Sequence, residues 1–213
     1  MATRHFKIYR GDNDKGELVD YNVEVDEGMV VLDVVHRIAA TQANDLAVRW
    51  NCKAGKCGSC SCEINGKPRL SCMTRMNEFA EDQIVTITPM KTFPVIKDLV
   101  CDVSWNFEQN KRIRPFKPRK READGTHRML QEDVERVQEF RKCIECYLCQ
   151  NVCHVLRDHE QKKKFVGPRF MIRLASLEMH PAGLTLRLNF LNFITVKAGW
   201  TRNRGHPRCC HCK

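Results

Sequence analysis

The chain has 213 residues with a formal charge of +10, 42% hydrophobic and 29% charged residues. That apolar content excludes a disordered chain. The longest oily stretch, Leu184–Val196, is too short to span a bilayer and carries Arg187, Asn189 and Asn192, which excludes a polytopic membrane protein. Thirteen cysteines, an odd number and about 6% of the chain, fall below a disulfide scaffold and point to reduced thiols for metal or redox chemistry. No secretory leader precedes the first strand-like residues, so the mature chain is expected to start here.

In chain order, residues 4–9 and 18–25 read as strands joined by the turn-rich segment Gly11–Glu17. Val30–Gln42 has helical period, with Leu32, Val35 and Ala39 on one stripe and Ile38 beside it. His36 reads as a partly exposed structural residue. Asn65-Gly66 signals a tight hairpin between strands at Ser61–Ile64 and Lys67–Cys72, because both positions accept positive φ. Ile84–Thr88 alternates in period two and closes this β-rich unit.

Between helix and hairpin cysteines stand at 52, 57 and 60, and another follows at 72, a C-x4-C-x2-C-x11-C pattern. This is the plant-type ferredoxin spacing for a [2Fe–2S] cluster. Two irons bridged by two sulfides need four thiolates: Cys52, Cys57 and Cys60 from one curling loop, and Cys72 from the far arm of the hairpin. Gly55 and Gly58 permit the curl and let backbone N–H groups face the sulfurs. Lys53 and Lys56 offset negative charge. A structural zinc site is the alternative, but zinc favours two compact knuckles. Cys62 is expected to be a buried free thiol.

The charge is uneven: residues 1–95 hold 12 basic and 13 acidic residues, and residues 96–213 hold 24 and 13. The densest run, Lys111–Arg121, has seven basic residues in eleven and two prolines, which suits a solvated connection. A docking patch for an acidic partner or membrane phosphates is the alternative. Nucleic acid is disfavoured, since Phe116 is the only aromatic in the run.

Gln131–Lys142 is a helix candidate, with Val134, Val137 and Phe140 near one side and a Glu132/Arg136 pair. It leads into Cys143, Cys146, Cys149 and Cys153, a C-x2-C-x2-C-x3-C run of the bacterial cubane-cluster type, with His154 where proline is usual. Three such thiolates cap one cubane, and the fourth cysteine serves another cluster. Gly167-Pro168 opens a further helix, with Phe170, Leu174 and Leu177 as a stripe and Met171 alongside, ending at His180-Pro181. His154, His159 and His180 read as surface or packing residues rather than proton carriers.

These segments together resemble one family. RWNCKAGKCGSCSCEINGKPRLSCMTRM (49–76), TPMKTFPVIKDLV (88–100), EFRKCIECYLCQNVCHVLRDH (139–159) and GPRFMIRLASLEMHP (167–181) are similar to the iron–sulfur subunit of succinate dehydrogenase and fumarate reductase, closest to its actinobacterial-like branch. The resemblance covers about residues 3–181. It implies an α+β chain. A β-grasp plant-type ferredoxin domain spans 1–95 and a basic linker 96–127. An incomplete helical bacterial-ferredoxin-like domain spans 128–181, and an atypical tail 182–213. It implies an electron wire through [2Fe–2S], [4Fe–4S] and [3Fe–4S] clusters. A flavoprotein subunit with FAD stands at one end, and quinone with a membrane-anchor subunit at the other. The place would be the cytoplasmic face of the bacterial inner membrane. Cys143, Cys146 and Cys149 would hold the second cluster and Cys153 the third, with no catalytic residue for succinate in this chain. A fumarate reductase or another flavin-linked complex is the redox alternative; a zinc-stabilised nucleic-acid-binding protein is the other class.

The likeness breaks after Pro181. The family's next cysteine run, which supplies the remaining ligands of the second and third clusters, has no counterpart here. Cys209, Cys210 and Cys212 crowd the last five residues instead. The expectation is that a frame change or truncation replaces the family's ending. No role is assigned to Cys101 or to the three terminal cysteines.

Overall fold

A computed structural model describes residues 2–158 and 165–183. Strands β1 (Ala2–Gly11) and β2 (Gly16–Val25) form a long antiparallel hairpin, with Ala2 opposite Val25 and Gly11 opposite Gly16. Period-two alternation sends Phe6, Ile8, Tyr21 and Val23 into the core.

Helix α1 (Val31–Thr41) follows, and its free N-terminal N–H groups find partners. Val31 N donates to Thr74 O at 2.9 Å and Leu32 N to Ser71 O at 3.1 Å. The Asp33 carboxylate accepts the Val30 N–H at 3.2 Å, a favourable charge in the first turn. Val31, Val34, Val35 and Ile38 join the main core, whereas Leu32 packs against Cys60 and Cys72. The helix therefore fixes both the sheet and the cysteine loop.

Strands β3 (Ser61–Ile64) and β4 (Lys67–Leu70) pair through Asn65 and Gly66, whose φ values are 48° and 72°. Asn65 Oδ1 accepts the Thr86 N–H at 2.7 Å, tying the turn to β5 (Val85–Thr88). β5 runs parallel to β1 and antiparallel to β3, giving the order β2-β1-β5-β3-β4. A mixed sheet crossed by one helix is the expected β-grasp arrangement within an α+β chain.

The segment expected as a linker carries structure of its own. β6 (Val95–Lys97) and β7 (Val100–Cys101) pair, and α2 (Ser104–Lys111) follows. Between the two strands, buried Asp98 adopts φ 50°. Its carboxylate accepts the Gly11 N–H at 2.9 Å, the Ala47 N–H at 2.8 Å and Arg10 Nε at 3.1 Å. Arg10 also reaches Asp45 at 2.6 Å and the Tyr21 hydroxyl at 2.9 Å. Asp98→Ala strands three donors in a buried place. It is expected to lower unfolding free energy by about 3 kcal/mol, read from the urea midpoint of the full chain.

The basic run is exposed along most of its length but does not hang free. The Phe116 ring meets His180 at 4.9 Å, Pro118 bridges to Gly183, and Arg119 N donates to Ala182 O at 2.9 Å. A wholly solvated connection is thus corrected: one aromatic and two backbone contacts pin it, while Lys117, Lys120 and Arg121 stay exposed.

The remaining helices are α3 (Gln131–Arg141), α4 (Leu148–Val152), α5 (His154–Asp158) and α6 (Pro168–Glu178). Val137, Phe170 and Leu174 are buried; Val134, Phe140, Met171 and Leu177 are half-buried. Arg136 pairs with Asp133 at 3.3 Å rather than with Glu132, because the i, i+3 carboxylate lies within reach on the same face. Buried Gln150 of α4 orders the start of α6, its Oε1 accepting the Arg169 N–H at 3.3 Å and its Nε2 donating to Val166 O at 3.0 Å. His154 is exposed, and His180 packs on Phe116. His159 and the terminal cysteines lie outside the described residues. No helix among the described residues is long and apolar enough to cross a membrane.

Candidate iron–sulfur centre

The first cysteine loop is built as its glycines demand. Gly55 and Gly58 have φ of 65° and 71°, and Lys53 joins them at 53°. This curl turns N–H groups onto sulfur: Ala54 N and Lys56 N donate to Cys52 Sγ at 3.4 and 3.3 Å. The Gly55 N–H faces Cys72. Cys52 is exposed, Cys57 half-buried, and Cys60 and Cys72 are buried beside Leu32.

The four thiols form one linked set: Cys57 interacts with Cys52, Cys72 with Cys60, and Cys72 with Cys52 as well. Hydrogen bonds from Ser59 and then from the Cys52 backbone bring the Cys57 thiol down to about 6. Burial, followed by the contact with Cys60, pushes the Cys72 thiol up to about 11. Four thiols gathered from one loop and one hairpin arm, with N–H groups aimed at the sulfurs, are what a binuclear cluster requires of its ligands. The residues present fit a [2Fe–2S] group.

Lys53 is turned outward, its Nζ 5.0 Å from the Trp50 ring centroid and 4.0 Å from Asp33. The His36 and Trp50 rings meet edge to face, with centroids 4.7 Å apart. Burial, then the nearby Lys53 charge, lowers the His36 pKa. Cys62 is a buried free thiol of the main core, and burial raises its pKa strongly. Cys101 is also buried, packed with Met90, Phe93 and Tyr147.

The second cysteine run forms a loop held by Glu145 and Tyr147, at φ 55° and 59°. Arg169, reaching from the first turn of α6 with its side chain almost wholly buried, forms an ion pair with Glu145. Cys143, Cys146 and Cys149 lie close enough to influence one another electrostatically. Burial raises the Cys146 thiol and pushes Cys149 up to about 11. Cys153 is half-buried between α4 and α5. The next cysteine in the chain is Cys209.

The two loops touch. A Cβ added to Gly58 would lie 2.7 Å from Cys146 Cα and 2.8 Å from Ile144 O. Ser61 Oγ lies 2.9 Å from Gly58 O and 2.8 Å from Cys146 O, so its hydroxyl hydrogen is placed between both carbonyls. Sequence reading missed Ser61, Ser59, Glu63, Asn151, Arg157 and Arg169. Only Glu63 left a trace: a carboxylate between Cys62 and Ile64 in a short strand needs a partner if that strand is buried.

Comparison with known proteins agrees with this geometry. Residues 5–108 match the family described as a 2Fe-2S iron-sulfur cluster binding domain. The chain is 33% identical over 151 residues to a fumarate reductase iron-sulfur subunit of Mycobacterium tuberculosis, covering 70% of this chain and 60% of the relative. It is 35% identical to the succinate dehydrogenase iron-sulfur subunit of Bacillus subtilis, covering 64% of this chain and 53% of that protein. The chain thus spans little more than half the length of these two relatives. It covers 70% of the fumarate reductase iron-sulfur subunit of Wolinella succinogenes, at 31% identity and over 78% of its own length. A chain of the Mycobacterium smegmatis Sdh1 complex in the apo form superposes with a TM-score of 0.85 at 60% identity, covering 90% of this chain and 80% of that one. The linked thiols, the glycine-curled loop and these likenesses converge: the chain belongs to the iron–sulfur subunit family of succinate dehydrogenases and fumarate reductases.

Proposed function

We propose that this chain is the electron-transfer subunit of a succinate:quinone oxidoreductase. It would stand between an FAD-bearing flavoprotein subunit and a quinone held with a membrane-anchor subunit, peripheral to the cytoplasmic face of the bacterial inner membrane. Cys52, Cys57, Cys60 and Cys72 are its [2Fe–2S] ligands; Cys143, Cys146 and Cys149 take three corners of a [4Fe–4S] site, and Cys153 belongs to a [3Fe–4S] site. When bound, such groups supply one-electron carriers.

The observation that carries this reading is the direct contact of the two cysteine loops at Gly58, Ser61 and Cys146. A backbone touching without an intervening side chain is the short separation a relay between two centres needs. Cys60 and Cys72 lie buried under Leu32, which excludes water on the inner side, while Cys52 is exposed. The 60% identity to a chain of an Sdh1 complex supports the succinate dehydrogenase over the fumarate reductase reading.

Low-temperature EPR of the anaerobically reconstituted full chain, with iron and acid-labile sulfide counted, tests the proposal. The expected result is a reduced [2Fe–2S] signal without an oxidised [3Fe–4S] signal. A colourless, EPR-silent, zinc-loaded protein would falsify the electron-transfer reading. A full set of three signals would mean that terminal or external thiols complete the later sites.

A further inference from the structure

Glu63 is fully buried in β3, three residues beyond Cys60. Its Oε1 accepts Asn151 Nδ2 at 2.9 Å and lies 3.1 Å from Arg157 Nη2. Both partners come from α4 and α5; α4 carries Cys149, and Cys153 lies between the two helices. The other oxygen, Oε2, has no hydrogen-bond partner and stands 3.8 Å from the exposed Lys91 ammonium. Asn151 is buried as well, and its Oδ1 accepts the Thr92 N–H at 3.1 Å. Arg157 Nη1 donates to Asn151 O at 3.4 Å. One carboxylate thus gathers the β3 strand, the 91–92 loop and the α4–α5 pair.

A buried carboxylate is costly unless its partners are fixed, so it holds them to one geometry. The carboxylate stands three residues beyond the ligand candidate Cys60 and acts on the buried Cys62 and Cys101 thiols; charges and hydrogen bonds around a cluster adjust its potential. We infer that Glu63 is a positioning residue, a buried clamp that locks the second cysteine segment onto the first and whose charge, opposed by Arg157, sets the reduction potential of the Cys52–Cys72 site. The part about potential rests on the electron-transfer reading above; the clamp does not.

The test uses the full chain carrying Glu63→Gln, Arg157→Gln or both. Hydrogen exchange of the isolated protein needs no iron. In Glu63→Gln, amides of residues 61–64 and 148–158 should exchange about tenfold faster. After reconstitution, an EPR-monitored redox titration reads the charge. Removing the carboxylate should favour reduction about tenfold, an upward shift of about 59 mV for one electron. Arg157→Gln should shift the potential down, and the double variant should return close to the parent. Shifts of one sign in both single variants, or unchanged exchange in Glu63→Gln, overturn the proposal. A parent chain that binds no iron sinks the electron-transfer reading, while the exchange result still decides the clamp.

Discussion

Gly58→Ala is expected to prise the two cysteine loops apart and to cost about 3 kcal/mol or more. Two effects add. At φ 71° an L-residue with a Cβ pays about 1–2 kcal/mol. The new methyl then meets Cys146 Cα at 2.7 Å, Ile144 O at 2.8 Å and Cys146 N at 2.9 Å, all main-chain atoms or a carbonyl that cannot swing aside. The Ser61 hydroxyl, shared between Gly58 O and Cys146 O, would lose one acceptor as the loops move. Gly66→Ala is the matched control. It has φ 72° but nothing within 4 Å of its added Cβ, so it carries the backbone strain alone. Urea unfolding of both variants should leave Gly58→Ala lower by at least about 1.5 kcal/mol, the part due to contact. Equal losses would mean that the loops do not bear on one another.

The second large effect concerns ligands. Cys72→Ala is expected to abolish the [2Fe–2S] spectrum and its acid-labile sulfide after anaerobic reconstitution. The thiol it removes is paired with Cys60 and faces the Gly55 N–H, so one iron would lose half of its protein ligands. Cys62→Ala makes the contrast. Cys62 is equally buried, yet it packs with Val35 and Ile64 in the main core rather than beside Cys72. Its loss should leave the visible spectrum intact and cost only about 1 kcal/mol for the small void. Persistence of the spectrum in Cys72→Ala, or its loss in Cys62→Ala, would reverse the ligand assignment.

Local chemistry made much of this protein legible in the sequence. The β1–β2 hairpin, α1, the Asn65-Gly66 turn and the helices at 131 and 168 follow from periodicity, from residues that accept positive φ and from proline at a helix start. Each signal acts within a few residues, so the chain carries it wherever it folds. The cysteine gaps belong to the same class. A loop with two glycines and three thiols curls over its own sulfurs, as the N–H contacts on Cys52 show.

Other features had no local signature. The segment 96–127 read as a linker because its prolines and charges mask β6, β7 and α2, whose order depends on the distant Arg10 and Gly11. The placement of β5 between β1 and β3 is a long-range pairing that no run of residues announces. Arg136 pairs with Asp133 at i, i+3 rather than with Glu132 at i, i+4, a choice that side-chain geometry decides.

The sequence by itself determined which thiols belong to which loop and which segments become strand or helix, because spacing and backbone preference are properties of neighbours in the chain. Only the tertiary structure decided that Cys52 stands with Cys57 and Cys72 with both Cys60 and Cys52, that Gly58 lies against Cys146, and that Glu63 meets Asn151 and Arg157. Those contacts join residues up to 94 positions apart, as Glu63 and Arg157 are, and exist only once the sheet and the helices have packed on each other.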